Sequence, residues 1–197
     1  MNTDQHEIRQ VWRHVAKFHE PQSQVGDKSY GITGHVTPGS YAKIVNALKT
    51  YGGLNADSVF LDVGSGMGRP SFGAFQVTGC MAIGIEKCDM LVNISTIIGK
   101  KYSRGDIQFG QGDILKLESF AGVDYVYSFS TGMPHHILRR IVFLAVQSNV
   151  KMLVMYKNAY FTDMGLDNNA DDVQKLDMKM PSGSSYTCYI IPLTEER

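Results

Sequence analysis

From residue 58 to residue 158 short apolar runs alternate with stretches whose apolar residues recur at helical spacing, and no other feature restricts the possible folds as much. SVFLDVG (58–64), MAIGIEK (81–87), IQFGQGDIL (107–115), VDYVYSFS (123–130) and KMLVMYKN (151–158) read as strands. Between them RPSFGAFQVTG (69–79), DMLVNISTIIGKKY (89–102) and MPHHILRRIVFLAVQ (133–147) read as helices. The tail changes character: VQKLDMKM, the turn PSGS and SYTCYIIPL read as an antiparallel hairpin. Strand–helix units closed by a hairpin predict an α/β fold with a doubly wound, mostly parallel seven-stranded sheet and a C-terminal antiparallel hairpin. No internal repeat competes with this reading.

Upstream, residues 4–19 place Ile8, Val11, Val15 and Phe18 on one helical face, with Thr3 or Asp4 as candidate cap. Residues 21–36 are turn-rich without periodicity, and so long a loop in a compact domain is often a lid or a binding segment. A further helix starts at Thr37 (N-cap) and Pro38, puts Tyr41, Ile44, Val45 and Leu48 on one face, and stops at Gly52 and Gly53. The expected organisation is an N-terminal helix and lid loop over 1–36, followed by a catalytic domain over 37–197.

The chain has 197 residues, enough to bury a core without disulfides. Its 19 basic and 19 acidic residues cancel. A protein that grips nucleic acid by charge alone carries a basic surplus, so direct nucleic-acid binding is expected to be weak or absent. Cys80 and Cys88 bracket one strand, roughly 25 Å apart, too far to bridge. With Cys188 the count is odd and no CxxC pair occurs, which favours a reducing compartment, nuclear or cytoplasmic. No apolar run reaches membrane-span length, and the N-terminus is polar rather than signal-like.

Chemistry enters at FLDVGSGMGRP (60–70). Glycines after a strand let a nucleotide approach the backbone. The turn reads Gly64-Ser65-Gly66-Met67-Gly68-Arg69, so Arg69 stands where the dinucleotide fingerprint GxGxxG requires its third glycine. The GK[ST] ending of a phosphate-binding loop is missing too. Asp62 would repel a pyrophosphate, but it would attract the ammonium of a phosphate-free, amino-acid-bearing cofactor such as S-adenosylmethionine. Glu86, at the end of the second strand, suits the two hydroxyls of a ribose, and Asp113, after Gly112 at the end of the third, suits the adenine amino group. Three successive strands would thus present one carboxylate each at one sheet edge, the pattern of a class I methyltransferase rather than of a nicotinamide oxidoreductase.

The run from Thr33 to about Asp113, including GHVTPGSYAKIVNAL and SVFLDVGSGMGRPSFGAFQVTGCMAIGIEKCD, resembles the DOT-type histone lysine methyltransferases, which use the Rossmann-like methyltransferase fold rather than the SET fold. The likeness covers roughly 30–160 and is most specific in DVGSGMGR, TGC and IEKCDM. It implies S-adenosylmethionine held by Asp62, Gly64, Gly66, Glu86 and Asp113, with Thr37 near the methionine end and Ser65, Gly68, Lys87, Gly112 and Ile114 completing the lining. It also implies a methyl-acceptor protein as partner, a histone or nucleosome, with room for an accessory subunit. Two places depart from the family. Thr33-Gly34-His35 stands for its Tyr-Gly-Glu, and Tyr127-Ser128-Phe129 for its Asn-Asn-Phe. The family's strongly basic extensions are absent from the sequence.

Methyl transfer is an in-line displacement in which the protein mainly aligns acceptor, methyl and sulfur. Aromatic walls suit a cationic sulfonium or lysine channel, and a dry channel promotes loss of the lysine proton. Candidate catalytic residues are Tyr127, Ser128, Phe129 and Tyr156, with Tyr160 nearby; Lys157 reads as solvated. His135 and His136 face different directions on a helix opened by Pro134, so they read as structural, although residues after the fourth strand sit beside the methyl group in this fold. No HxxxH or CxxC spacing suggests a metal. The basic clusters GKKYSR (99–104) and Arg139-Arg140 read as solvated helix faces able to touch acidic partners. The expected function is S-adenosylmethionine-dependent methylation of a protein lysine. The alternatives are an RNA or small-molecule methyltransferase and a non-catalytic cofactor-binding module.

Overall fold

The computed structural model describes residues 3–18, 34–103, 105–156, 166 and 170–193. Tyr160, Lys157, Thr33 and nearly all of the expected lid loop lie outside them. The elements in chain order are α1 (Thr3–Val15), α2 (Pro38–Gly52), β1 (Val59–Val63), α3 (Arg69–Thr78), β2 (Met81–Glu86), α4 (Asp89–Tyr102), β3 (Ile107–Gln111), β4 (Tyr125–Tyr127), α5 (His135–Gln147), β5 (Met152–Met155), β6 (Gln174–Lys179) and β7 (Ser185–Pro192). They form one seven-stranded sheet in the order β3-β2-β1-β4-β5-β7-β6. The first five strands are parallel, and β7 runs antiparallel between β5 and β6. Strand order reverses between β1 and β4, and in open α/β sheets ligands bind beyond the carboxyl ends of the strands at such a point.

Strand alternation divides the core in two. Phe60, Tyr125, Tyr127, Val154 and Cys188 pack on the face covered by α1, α2, α3 and α4. Leu61, Val63, Val126, Leu153 and Ile191 pack on the other, against Ile137, Leu138, Ile141 and Val142 of α5. By the same period of two, Asp62 shares the face of Phe60. α1 buries Ile8, Val11, Trp12 and Val15, at about 2 kcal/mol for each large side chain. The Trp12 indole N–H also donates to the carbonyl of Arg69 (2.8 Å), which ties α1 to the start of α3.

α2 begins as its sequence predicts. Thr37 is the N-cap and accepts from the Ser40 N–H at 3.2 Å, and Gly53 ends the helix at φ 73°. The Thr37 N–H donates to the carbonyl of Lys179, and the Ser40 hydroxyl accepts from the Lys179 N–H, so α2 is pinned to the edge strand β6. Thr3 and Asp4 lie in the first turn of α1, where Asp4 pairs with Lys49 at 3.0 Å.

Several strands are shorter than expected; β5, expected over 151–158, is Met152–Met155. β3 stops at Gln111 instead of running to 115, because the Asp113 carboxylate accepts from the Leu115 N–H and its carbonyl from the Lys116 N–H, a side-chain-closed turn. Asp113 therefore sits just beyond the strand. β4 is Tyr125–Tyr127 rather than 123–130. Beyond it the Ser128 N–H still donates to the Val154 carbonyl (3.0 Å), and hydroxyls add further links: Ser128 donates to the Val63 carbonyl (3.1 Å) and Ser130 accepts from the Tyr156 N–H (2.9 Å). α5 starts at His135, two residues later than the pattern suggested, with Pro134 as its N-cap. Among the described residues no helix is long and apolar enough to cross a membrane.

Candidate functional site

The glycine turn joins β1 to α3 at the carboxyl edge of the sheet. Gly64, Gly66 and Gly68 all have positive φ (74°, 53° and 77°), a region that costs a side-chain-bearing residue about 1–2 kcal/mol. The turn rests on the neighbouring strand: the N–H groups of Gly64 and Ser65 donate to the Ile85 carbonyl at 2.8 and 3.1 Å. Beneath it lies Phe109 of β3, its ring packed at a tilt on Phe72 (5.3 Å, 52°). A Cβ on Gly68 would sit 2.5 Å from Phe109 Cε1, and one on Gly84 would sit 2.6 Å from the same atom and 2.8 Å from Ser65 Oγ. Gly84 thus lets the turn settle onto β2, a role hidden in a sequence that shows Gly84 only as a strand residue.

The three carboxylates meet around this turn with different environments. Asp62 is 1% exposed, and its Oδ2 accepts from the Ser71 hydroxyl at 3.1 Å. Burial pushes its carboxyl up to about 8, the Ser71 hydrogen bonds pull it back in part, and the Glu86 charge raises it further. At neutral pH it is therefore mostly protonated. Glu86 braces the turn: Oε2 accepts from the Gly66 N–H and Oε1 from the Cys88 N–H, both at 2.9 Å. A carboxylate offers about four acceptor positions, so roughly two remain for a ligand. Asp113 is half-buried, with Lys87 Nζ 3.8 Å from Oδ2. Gly112 donates from its N–H to the Glu86 carbonyl (3.0 Å), and Ile114 is buried. The expected residues Asp62, Gly64, Ser65, Gly66, Gly68, Glu86, Lys87, Gly112, Asp113 and Ile114 thus belong to one edge, while Thr37 caps α2 and joins it to β6.

Ser65 is informative. It is 5% exposed, and its hydroxyl has no hydrogen-bond partner among the described residues. An orphaned buried hydroxyl costs about 1–3 kcal/mol, so one inside a nucleotide-type turn fits a site that a ligand completes.

The acceptor-side residues are not alike. Tyr127 is 1% exposed and sits edge-on to Tyr41 and Tyr156, its hydroxyl 3.1 Å from that of Tyr156. Burial raises both phenols well above their usual range. Ser128 is fully buried and committed to the Val63 carbonyl. Only Phe129 keeps part of its surface open. Its ring packs on Tyr156 (5.0 Å) and so close to Gly34 that a Cβ there would lie 2.6 Å from Cε1. His135 is half-buried and His136 exposed, as expected for neighbours on a helix. Ser71, Phe109 and Gly84 carry no motif of their own. Ser71 in particular is one small residue among apolar ones, and nothing in its spacing marks it as the donor to Asp62.

No family model matches the chain. An 80-residue stretch, 40% of the chain, is 31% identical to the sterol 24-C-methyltransferase of Saccharomyces cerevisiae, but it spans only 21% of that enzyme's length. Among solved structures, a candidate RNA methyltransferase of Pyrococcus horikoshii superposes over 100% of both chains with a TM-score of 0.68 at 13% identity. An RNA methyltransferase of Salinibacter ruber, solved with S-adenosylhomocysteine, superposes over 79% of this chain and 93% of its own, with a TM-score of 0.57 at 19% identity. The seven-stranded sheet with its C-terminal antiparallel hairpin is thus the Rossmann-like fold of these methyltransferases.

Proposed function

We propose that the chain is an S-adenosylmethionine-dependent methyltransferase. The observation that carries this reading is the glycine turn with a buried acid below it, a second acid bracing it and a third at the end of the next strand. Asp62 would hold the ammonium of the methionine moiety, Glu86 the ribose hydroxyls and Asp113 the adenine amino group. Gly64, Gly66 and Gly68 would give backbone access, and Ser65 would gain the partner it lacks. Lys87, Gly112 and Ile114 would complete the adenosine side. When bound, the cofactor supplies a methyl group already activated on a sulfonium sulfur. A pyrophosphate cofactor fits poorly, because the Gly66 N–H that would meet it already donates to Glu86 and Arg69 stands where the dinucleotide fingerprint requires glycine.

The acceptor is proposed to be a protein lysine, as in DOT-type enzymes, entering past Phe129. There the aromatic ring excludes water, and it is this desolvation that disfavours the charged form of an amine. Tyr127, Ser128 and Tyr156 act from behind as positioning residues, since each is buried and already hydrogen-bonded. A second reading, an RNA base as acceptor, is favoured by the same half-open ring, because a base stacks on one aromatic side chain without needing a cage.

Incubation with methyl-labelled cofactor and, separately, histones, mixed cellular protein and total RNA tests the proposal. Label on lysine supports the first reading and label in RNA the second. Cofactor binding without transfer to histones, cellular protein or RNA would refute both acceptor readings.

A further inference from the structure

α1 presents a second feature, away from the glycine turn. Glu7, Gln10 and His14 lie on one stripe of the helix and, with Arg13 and Lys17, wall a cleft closed by Gln76 of α3 and Tyr102 of α4. Its volume is about 330 Å³, within the range of small-ligand sites. We propose that this cleft binds one nucleotide unit, as a free nucleotide or as part of an RNA strand. The proposal does not depend on the cofactor reading.

Polarity along the cleft is the first argument. Glu7 lies six and seven residues before Arg13 and His14, about 9–10 Å along the helix, and Lys17 follows in the turn after it. Arg13 and Lys17 are exposed and make no ion pair among the described residues. Lys101 adds charge at their end, its Nζ 5.4 Å from the Phe18 ring. On a chain whose charges sum to zero this is a local concentration. A bare anion would use the cationic end and leave Glu7 unanswered. A nucleotide presents phosphate at one end and the amino and ring-nitrogen edge of a base at the other.

The lining supplies the remaining chemistry. His14 Nε2 is buried without a hydrogen-bond partner among the described residues, and its ring stands edge-on to Tyr102 (5.4 Å, 87°). Together they offer an aromatic wall and an unused polar atom. Gln76 offers a donor and an acceptor to a base edge. Gln10 keeps its carbonyl oxygen, since its Nε2 is 2.7 Å from the His6 ring.

Calorimetric titration of the full chain with AMP, GMP, CMP, UMP, inorganic phosphate and a single-stranded oligouridylate tests this. The expected result is saturable nucleotide binding, with phosphate alone far weaker. It should fall about tenfold or more in Arg13→Ala/Lys17→Ala, whose side chains are exposed and whose fold can be checked by circular dichroism. S-adenosylhomocysteine binding by that variant should equal that of the parent, which separates this site from the cofactor site. Oligouridylate binding much tighter than any mononucleotide, and lost in the same variant, identifies RNA as the source; equal or weaker binding identifies a free nucleotide. No binding of any nucleotide or RNA, or binding unaffected by the double substitution, overturns the proposal.

Discussion

Asp62 should make cofactor binding depend on pH with a determined sign. In the free protein its carboxyl titrates at about 8, chiefly through burial, so it holds a proton at pH 7. Pairing with an ammonium requires the carboxylate, and removing that proton at pH 7 costs about 1.4 kcal/mol. Affinity should therefore rise with pH, approaching tenfold per unit well below 8. From pH 6 to pH 8 the ionised fraction of this carboxyl rises from about 1% to about half, so affinity should increase roughly fiftyfold. S-adenosylhomocysteine is a suitable probe because it carries the same amino group. Titration at pH 6.5 in buffers of different ionisation enthalpy should show release of about one proton. Asp62→Asn should remove the rise and weaken binding above pH 8 by roughly 1.5–3 kcal/mol, or 10- to 150-fold. A flat profile from pH 6 to 8 with no proton released would refute the assignment of Asp62 to the ammonium.

The same group links stability to pH. Its native value lies above the ordinary 3.8, so between that value and about 8 the folded chain binds a proton that the unfolded chain does not. The ligand-free protein should lose stability with rising pH in this window, by up to about 1.4 kcal/mol per unit, and Asp62→Asn should flatten the trend in thermal melts. Gly84→Ala should destabilise by about 1–3 kcal/mol, because its Cβ meets Phe109 and Ser65, and Phe109→Leu should recover part of that loss in the double variant. Phe129→Ala should preserve S-adenosylhomocysteine affinity but abolish most turnover in the labelled-methyl assay. Tyr127→Phe, which removes the hydrogen bond between the Tyr127 and Tyr156 hydroxyls, should cost about 1 kcal/mol in denaturant unfolding and alter turnover less than Phe129→Ala does.

The alternation of apolar runs and helical stretches made the parallel sheet and its terminal hairpin readable, because strand parity and helix caps are local. Thr37, Pro38 and Gly53 show this for α2. Strand ends were less readable. Ile114 and Leu115 continue the apolar pattern of β3, but a side-chain turn at Asp113 withdraws them from the ladder. Past β4, hydroxyls of Ser128 and Ser130 make links to the neighbouring strands, and alternation cannot reveal that.

The acids of the candidate site were legible individually, their environments only in three dimensions. Ser71 reaches Asp62 from α3, and Gly66 reaches Glu86 from the adjoining strand's turn. Tyr127 shows the opposite case. Its parity with Tyr125 already places both on one face of β4, yet only the packing of α2 and α3 shows that face to be sealed.

The most direct test of the central claim is parallel calorimetric titration of the purified chain with S-adenosylmethionine, S-adenosylhomocysteine and NAD. The arrangement of Asp62, Glu86 and Asp113 around the glycine turn predicts saturable binding of both sulfur compounds, weakened by Asp62→Ala and by Glu86→Ala, and no binding of NAD. Binding of NAD, or of neither sulfur compound, would contradict it.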